Sequence, residues 1–210
     1  MAWPDNKAFI TKQLNKMKPE INHYAAAVLV ALSALPCFSA ETVIVESRKT
    51  DGTLNTPAWT EAGGKWGTSK NKSRIADSSS LLATNVSVCV TNSPTPSIKV
   101  VPKLEAGTIY KVEVTFSTSS TYAASPDLIV AVSAEGLAAT TIPTNSIAFQ
   151  GAGADAWNLL GTITPETNSP ALTFTYLSGT LSRESRWYAD AIRFTPEATP
   201  KQDEEKDEPK

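Results

Sequence analysis

Histidine and cysteine are scarce in this sequence, which excludes several kinds of catalytic and metal site. The 210 residues include one histidine, His23, and two cysteines, Cys37 and Cys89. After residue 40 no histidine remains, so this part of the chain cannot form a histidine-dependent catalytic triad or an imidazole-ligated metal site. Cys89 is then a single cysteine that no second one can bridge. Its apolar surroundings, NVSVCV, predict a buried and unreactive thiol.

An excess of positive charge is also absent. The chain has 19 Lys+Arg against 21 Asp+Glu, a formal net charge of -2 and a sequence pI of about 5.5. Proteins that bind nucleic acid neutralise phosphates with a basic surface, and this composition predicts none. We therefore expect no nucleic-acid partner.

The sequence has no apolar run long enough to span a membrane. Residues 24–35 read YAAAVLVALSAL, whereas a spanning helix needs about 20 apolar residues. Lysines precede this run, and Pro36 and small residues follow it, which is the order of a secretory signal. We expect residues 1–40 to be a signal helix that is cleaved after export, so that the protein is secreted or periplasmic. A lipid anchor on Cys37 is disfavoured, because Pro36 stands where lipoprotein signals carry a small residue.

The C-terminus is rich in charge and proline and poor in apolar residues. Residues 197–210 read EATPKQDEEKDEPK, a composition that cannot bury a core. We expect a disordered acidic tail here and a folded domain over residues 41–196.

Long helical patterns are missing from that domain, and alternation with a period of two replaces them. In TIYKVEVTF, residues Tyr110, Val112, Val114 and Phe116 alternate with polar residues, which predicts a half-buried strand. Seven further apolar runs lie between Gly, Pro, Asn and Ser. This pattern predicts an all-β fold, a two-sheet antiparallel sandwich of the jelly-roll kind.

Five motifs occur in a characteristic order along the domain: TVIVES, PAWTEAGGKWGTSKNKSR, LEAGTIYKVEVTF, DAWNLLGTITP and WYADAIRF. This set resembles the golvesin C-terminal-like domain, which is found in secreted bacterial proteins and attached to some polysaccharide lyases. The likeness covers residues 43–195, and its most specific element is ADAIRF, residues 189–194. It implies a jelly-roll-like sandwich that does not catalyse a reaction and acts in carbohydrate binding or surface matrix assembly. The insertion TNSPTPS, residues 91–97, departs from the family pattern.

Tryptophan is the residue type most suited to binding a sugar, because an indole can stack on the apolar face of a pyranose. Aromatic residues in sandwiches mostly fill the core, and the position of Trp157 in its strand favours that role. Trp59 and Trp66 lie in a segment rich in Gly, Lys and Thr that reads as a loop. We expect these two tryptophans to be the ligand-binding residues if the protein binds a sugar.

One carboxylate, Asp190, falls in an apolar strand. Strict alternation places it on the face of Tyr188, Ile192 and Phe194. An unpaired buried carboxylate is costly, so Asp190 is expected to join a structural hydrogen-bond network, to help hold calcium, or to contact a ligand. A bulge in the strand would instead turn it outward.

No catalytic pattern appears among the remaining residues. The acids show no recognisable pairing for glycoside cleavage, and there is no phosphate-binding loop or GxSxG motif. The sequence therefore predicts a non-catalytic module that binds polysaccharide at the cell surface or envelope, with calcium as the one cofactor considered. The alternative is a structural or protein-interaction protein of the envelope or extracellular matrix.

Overall fold

The computed structural model of the protein describes residues 40–73, 75, 81–117, 119, 121–144, 147–148 and 153–198. Within these ranges every regular element is a strand, and no helix there could cross a membrane. The strands are β1 Val43–Glu46, β2 Trp59–Ala62, β3 Trp66–Ser69, β4 Val86–Cys89, β5 Ser97–Val100, β6 Tyr110–Thr115, β7 Ala123–Ala124, β8 Ile129–Glu135, β9 Leu137–Thr140, β10 Ile147–Ala148, β11 Asn158–Pro165, β12 Ala171–Ser178, β13 Ser185–Ala189 and β14 Ala191–Pro196. The predicted signal helix and residues 199–210 of the predicted tail lie outside the described residues.

The strands form three sheets. Sheet 1 has five strands in the order β1-β14-β6-β11-β9, and sheet 2 has five in the order β10-β8-β12-β5-β2. Sheet 3 has four strands in the order β3-β4-β13-β7. Among these pairs, β13 with β7 is parallel and the others are antiparallel. The all-β, sandwich-like prediction is confirmed, with a short third sheet in addition to the two predicted.

A single main core joins the sheets. It takes Val112, Val114 and Phe194 from sheet 1, together with residues such as Leu172 and Phe174 from sheet 2. The apolar residues of β6 are buried as its alternating pattern predicts, but Glu113 and Thr115 on the opposite face are buried as well, so the strand is covered on both faces and the expectation of a half-buried strand is wrong. Burial of such aliphatic and aromatic side chains is worth about 1.5 to 3 kcal/mol each, so this core is the main source of stability.

Phe116 shows where the simple alternation ends. It follows β6 and packs outside the main core, in a second cluster with Val86, Val88 and Tyr188. These residues lie on the face of sheet 3 opposite to Cys89 and Trp187, which belong to the main core. The Cys89 thiol is fully buried, as predicted, and burial raises its pKa.

The segment that reads as a loop around Trp59 and Trp66 contains two strands. Strand β2 pairs with β5, strand β3 pairs with β4, and Gly63 and Gly64 link β2 to β3. The prediction of an irregular loop here is wrong. The many Gly, Lys and Thr residues are typical of a loop, but the segment contains two strands of four residues each.

The motif WYADAIRF does not form one continuous strand. It changes sheet at Asp190, with β13 before it in sheet 3 and β14 after it in sheet 1. Trp187 and Ala189 therefore share the main core with Ile192 and Phe194, whereas strict alternation placed them on opposite faces. That expectation is wrong because the break at Asp190 shifts the alternation by one residue.

Candidate functional site

Trp59 opens β2 and is fully buried. Its side chain belongs to the main core, and its pairing partner across the sheet is Val100 of β5. A ring without exposed surface offers no face on which a sugar could stack, so in this structure Trp59 supports the core and does not line a binding surface.

Trp66 is partly exposed at the start of β3, the edge strand of sheet 3. Its ring centroid lies 5.2 Å from that of Trp187, with 57° between the planes. The indole Nε1 donates a hydrogen bond to the carbonyl oxygen of Ala62 at 3.1 Å. The ring is thus fixed on one side by the core and by this bond, while part of it remains open to solvent.

A partly buried polar triad links β2, β4 and the chain after β1. Arg48 donates from Nη2 to both carboxylate oxygens of Glu61, at 3.1 and 3.2 Å, and from Nε to Ser87 Oγ at 2.9 Å. The Ser87 hydroxyl in turn donates to Glu61. Burial raises the pKa of Glu61, against the lowering effect of Ser87 and Arg48. Arg48 also bonds the carbonyl oxygen of Gly67, which ties the triad to the strand that carries Trp66.

Asp190 is 1% exposed at the point where the chain passes from sheet 3 to sheet 1. Its Oδ2 accepts a hydrogen bond from the backbone N–H of Ser73, and its backbone oxygen accepts one from Ser47 at 2.7 Å. Among the described residues, its Oδ1 has no hydrogen-bond partner. Despite the break in the strand, the side chain is not turned outward, and its observed contact is a structural one.

The electrostatic surroundings of Asp190 disfavour its charged form. Burial raises its pKa to about 7, and the nearby charges of Glu46 and Asp155 add to this effect. The Ser73 bond and Lys72 act in the opposite direction. Within the described ranges, no group of three acidic or cysteine side chains could hold a metal ion. A calcium ion bound by Asp190 stays a prediction.

Glu46 and Asp190 together bind a covering segment on the outer face of sheet 1, of which residues 71–73, 75 and 81–83 are described. The Glu46 carboxylate accepts hydrogen bonds from the backbone N–H groups of Leu82 and Ala83, both at 2.7 Å. Ile75 and Leu81 of the segment pack with Ala191 of β14 in a third cluster. The carboxylates of Glu46 and Asp190 therefore bind backbone N–H groups of this segment.

A row of polar residues on the outer face of sheet 1 was not predicted from the sequence. Arg193 of β14 donates from Nε and Nη2 to Glu113 Oε2 at 2.9 and 2.7 Å, while Lys111 contacts the other oxygen at 3.3 Å. The Arg193 guanidinium lies over the Trp157 ring, 4.5 Å from its centroid. Trp157 is partly exposed and packs with the third cluster, not with the main core as predicted. Alternation in β6 and β14 could have shown that Glu113 and Arg193 share a face.

We expect Arg193→Met to destabilise the protein by about 2 kcal/mol, since it leaves the buried Glu113 carboxylate with Lys111 alone. Replacing Glu113 with leucine in the same chain should recover more than half of this loss, because no buried charge is then left unpaired. Urea unfolding of the two single variants and the double variant measures the coupling. If the losses of the two single variants add up to the loss of the double variant, the Glu113–Arg193 pair contributes nothing beyond packing.

No protein-family model matches the sequence, and no curated protein matches it. Among solved structures, the fold is similar to part of a xanthan lyase from Paenibacillus. The match has a TM-score of 0.51 and 17% sequence identity, and it covers 75% of this chain. The chain corresponds to 13% of the length of that lyase chain, so it resembles a small part of a much larger protein. At this level of identity the likeness concerns the fold.

Proposed function

We propose that this protein is a secreted or periplasmic, non-catalytic module that binds polysaccharide at the cell surface, with a golvesin-like sandwich fold. The observation that carries the proposal is Trp66, a partly exposed indole held rigidly at a sheet edge. The fold likeness to part of a xanthan lyase supports the same substrate class, since the name of that enzyme gives a polysaccharide as its substrate.

Trp66 suits a sugar ring for two physical reasons. Its contacts with Trp187 and with the Ala62 carbonyl fix the ring before a ligand arrives, so little conformational entropy is lost on binding. The indole also combines a large apolar surface with few rotatable bonds, which is why tryptophan often anchors binding sites. The exposed residues Lys65 and Thr68 flank it and can donate hydrogen bonds to sugar hydroxyls.

The state of the carboxylates supports a role without catalysis. Glycoside cleavage uses two carboxyl groups that are free to exchange protons or attack the sugar. Among the described residues, eight carboxylates are engaged in hydrogen bonds within the protein: Glu46, Asp51, Glu61, Glu113, Asp127, Glu135, Glu184 and Asp190. A module that holds its acids in this way is suited to binding.

Tryptophan fluorescence, followed during titration with soluble polysaccharides with and without calcium, tests the proposal. We expect a saturable change in fluorescence for the wild type. The affinity of Trp66→Ala should be lower by about tenfold or more. Trp157→Phe is the control, because it removes another partly exposed indole, which precedes β11 of sheet 1. Loss of binding in the control alone would move the site to sheet 1. No response from any folded form would contradict the function itself.

A second candidate function, docking on an envelope or matrix protein, is favoured by a different feature. Strand β1 stands at the edge of sheet 1, where backbone groups are open to a further strand. This feature does not depend on Trp66 or on any sugar.

A further inference from the structure

The free edge of β1 includes the backbone of Ile44. The backbone N–H of Ser47 donates to the Asp190 oxygen at 2.7 Å, which continues the register that pairs Val45 with Ile192. In an antiparallel pair, bonded residues alternate with residues whose backbone groups point away from the partner. Ile44 and Glu46 therefore direct their N–H and C=O groups to the free side of β1.

The chain itself covers only one end of this edge. After the turn at residues 48–54, Asn55 donates from Nδ2 to the Glu46 oxygen at 3.0 Å and from its backbone N–H to the Ser47 oxygen at 3.1 Å. The chain then leaves for β2 in sheet 2. Within the part of the chain that the structure describes, no residue takes the corresponding place beside Ile44.

Two clefts open above and below this edge. The outer cleft, about 380 Å³, is lined by Ile44 and Glu46, which lie on the outer face of β1, and by Lys49 and Leu82. The inner cleft is about 410 Å³. Its lining is mainly apolar, with Val43 and Val45 from the core side of β1 and with Pro57, Val101 and Pro102.

We propose that β1 is a docking edge for an extended peptide of a partner protein, which adds one strand to sheet 1 through the backbone of Ile44. Successive side chains of a strand point to opposite faces, so neighbouring residues of the added peptide enter the inner and the outer cleft in turn. This inference is independent of the proposed polysaccharide binding.

The linings specify the chemistry of the peptide. The inner cleft favours an aliphatic side chain, because aliphatic residues and proline form most of its walls, with Asn55 and Lys103 as the polar members. In the outer cleft, the Glu46 carboxylate is already engaged by two backbone N–H groups and Arg48 by Glu61, whereas Lys49 is exposed and has no ion pair among the described residues. The outer cleft therefore favours an acidic side chain. Leu82 lines the outer cleft and Pro57 lines the inner cleft.

A library of random nine-residue peptides displayed on phage, selected on the full protein, tests this inference. We expect enrichment of peptides in which an aliphatic residue adjoins an acidic one. The enriched peptides, made synthetically, should bind Ile44→Pro about tenfold more weakly, because proline removes the edge N–H without removing a bond to β14. Ile44→Val is the matched control: it changes the side chain, keeps the N–H and should bind normally.

A second variant keeps the test decisive if Ile44→Pro folds poorly. Lys49→Glu alters an exposed side chain and should weaken the binding of the acidic peptides while leaving the binding of their glutamine counterparts unaffected.

Absence of enrichment, or enriched peptides that bind all variants equally, would overturn the inference. A dimer of this chain that Ile44→Pro dissociates would also overturn it, because a second copy would then occupy the edge. A wild type that binds these peptides but no sugar would refute the polysaccharide proposal alone.

Discussion

Replacing Asp190 with asparagine is expected to remove a loss of stability that the wild type shows between pH 4 and pH 7. In the unfolded chain this carboxyl ionises near its ordinary pKa of 3.8, whereas in the folded protein burial raises its pKa to about 7. As the pH rises between these values, ionisation favours the unfolded chain, so the free energy of unfolding falls. The full contribution is roughly 4 kcal/mol, since each pKa unit corresponds to about 1.4 kcal/mol.

Urea unfolding at several pH values measures this effect. Below about pH 4 the wild type and Asp190→Asn should be similar in stability, and above about pH 7 the variant should be the more stable, because its amide oxygen can still accept the Ser73 bond without a buried charge. Asp127→Asn is the control with the opposite sign: bonds from Thr180 and Ser125 lower the pKa of Asp127, so its loss should destabilise at neutral pH. Parallel curves for wild type and Asp190→Asn would contradict this account.

Gly63→Ala is expected to cost about 3 kcal/mol or more and to weaken ligand binding at Trp66. Gly63 has a φ of +60°, a conformation that costs other residues about 1 to 2 kcal/mol. A Cβ there would lie 1.8 Å from the backbone oxygen of Thr95, so the turn between β2 and β3 would have to move. This displacement adds a cost like that of overpacking, about 1 to 3 kcal/mol.

Gly107→Ala separates the two contributions. Gly107 also has a positive φ, +81°, but a Cβ there would meet no atom within 4 Å. We expect it to lose only the backbone contribution, about 1 to 2 kcal/mol, and to bind ligand as the wild type does. Thermal and urea unfolding of both variants gives the difference. Equal losses would show that the contact with Thr95 does not constrain the turn.

The sequence was most informative where local alternation and burial agree. Val112 and Val114 of β6 lie in the main core as their period of two predicts, because both faces of this central strand have fixed surroundings. The other predicted apolar runs also contain strands. In such runs, the alternation of side chains along the strand is enough to predict which of them are buried.

Trp59 and Trp66 show where local pattern is insufficient. Both lie in the same Gly-rich segment, yet Trp59 is fully buried while Trp66 remains partly exposed. Both β2 and β3 are edge strands, but Trp59 lies within the main core, whereas Trp66 only packs against it. The pairings of β2 and β3 join residues distant in sequence, and no local composition specifies them.

Asp190 and Arg193 show the same limit at the level of single side chains. The sequence indicated that Asp190 needed partners, but the partner is the backbone of Ser73, 117 residues away. Arg193 meets Glu113 only because β14 lies beside β6. Buried polar contacts of this kind depend on the complete fold.

Calorimetric titration of the purified protein with soluble xanthan, with the length of the polysaccharide checked afterwards, tests the central claim most directly. We predict a saturable heat of binding for the wild type, an affinity about tenfold or more lower for Trp66→Ala, and polysaccharide of unchanged length. Absence of heat from the folded wild type, or shortened polysaccharide, would contradict a non-catalytic polysaccharide-binding module.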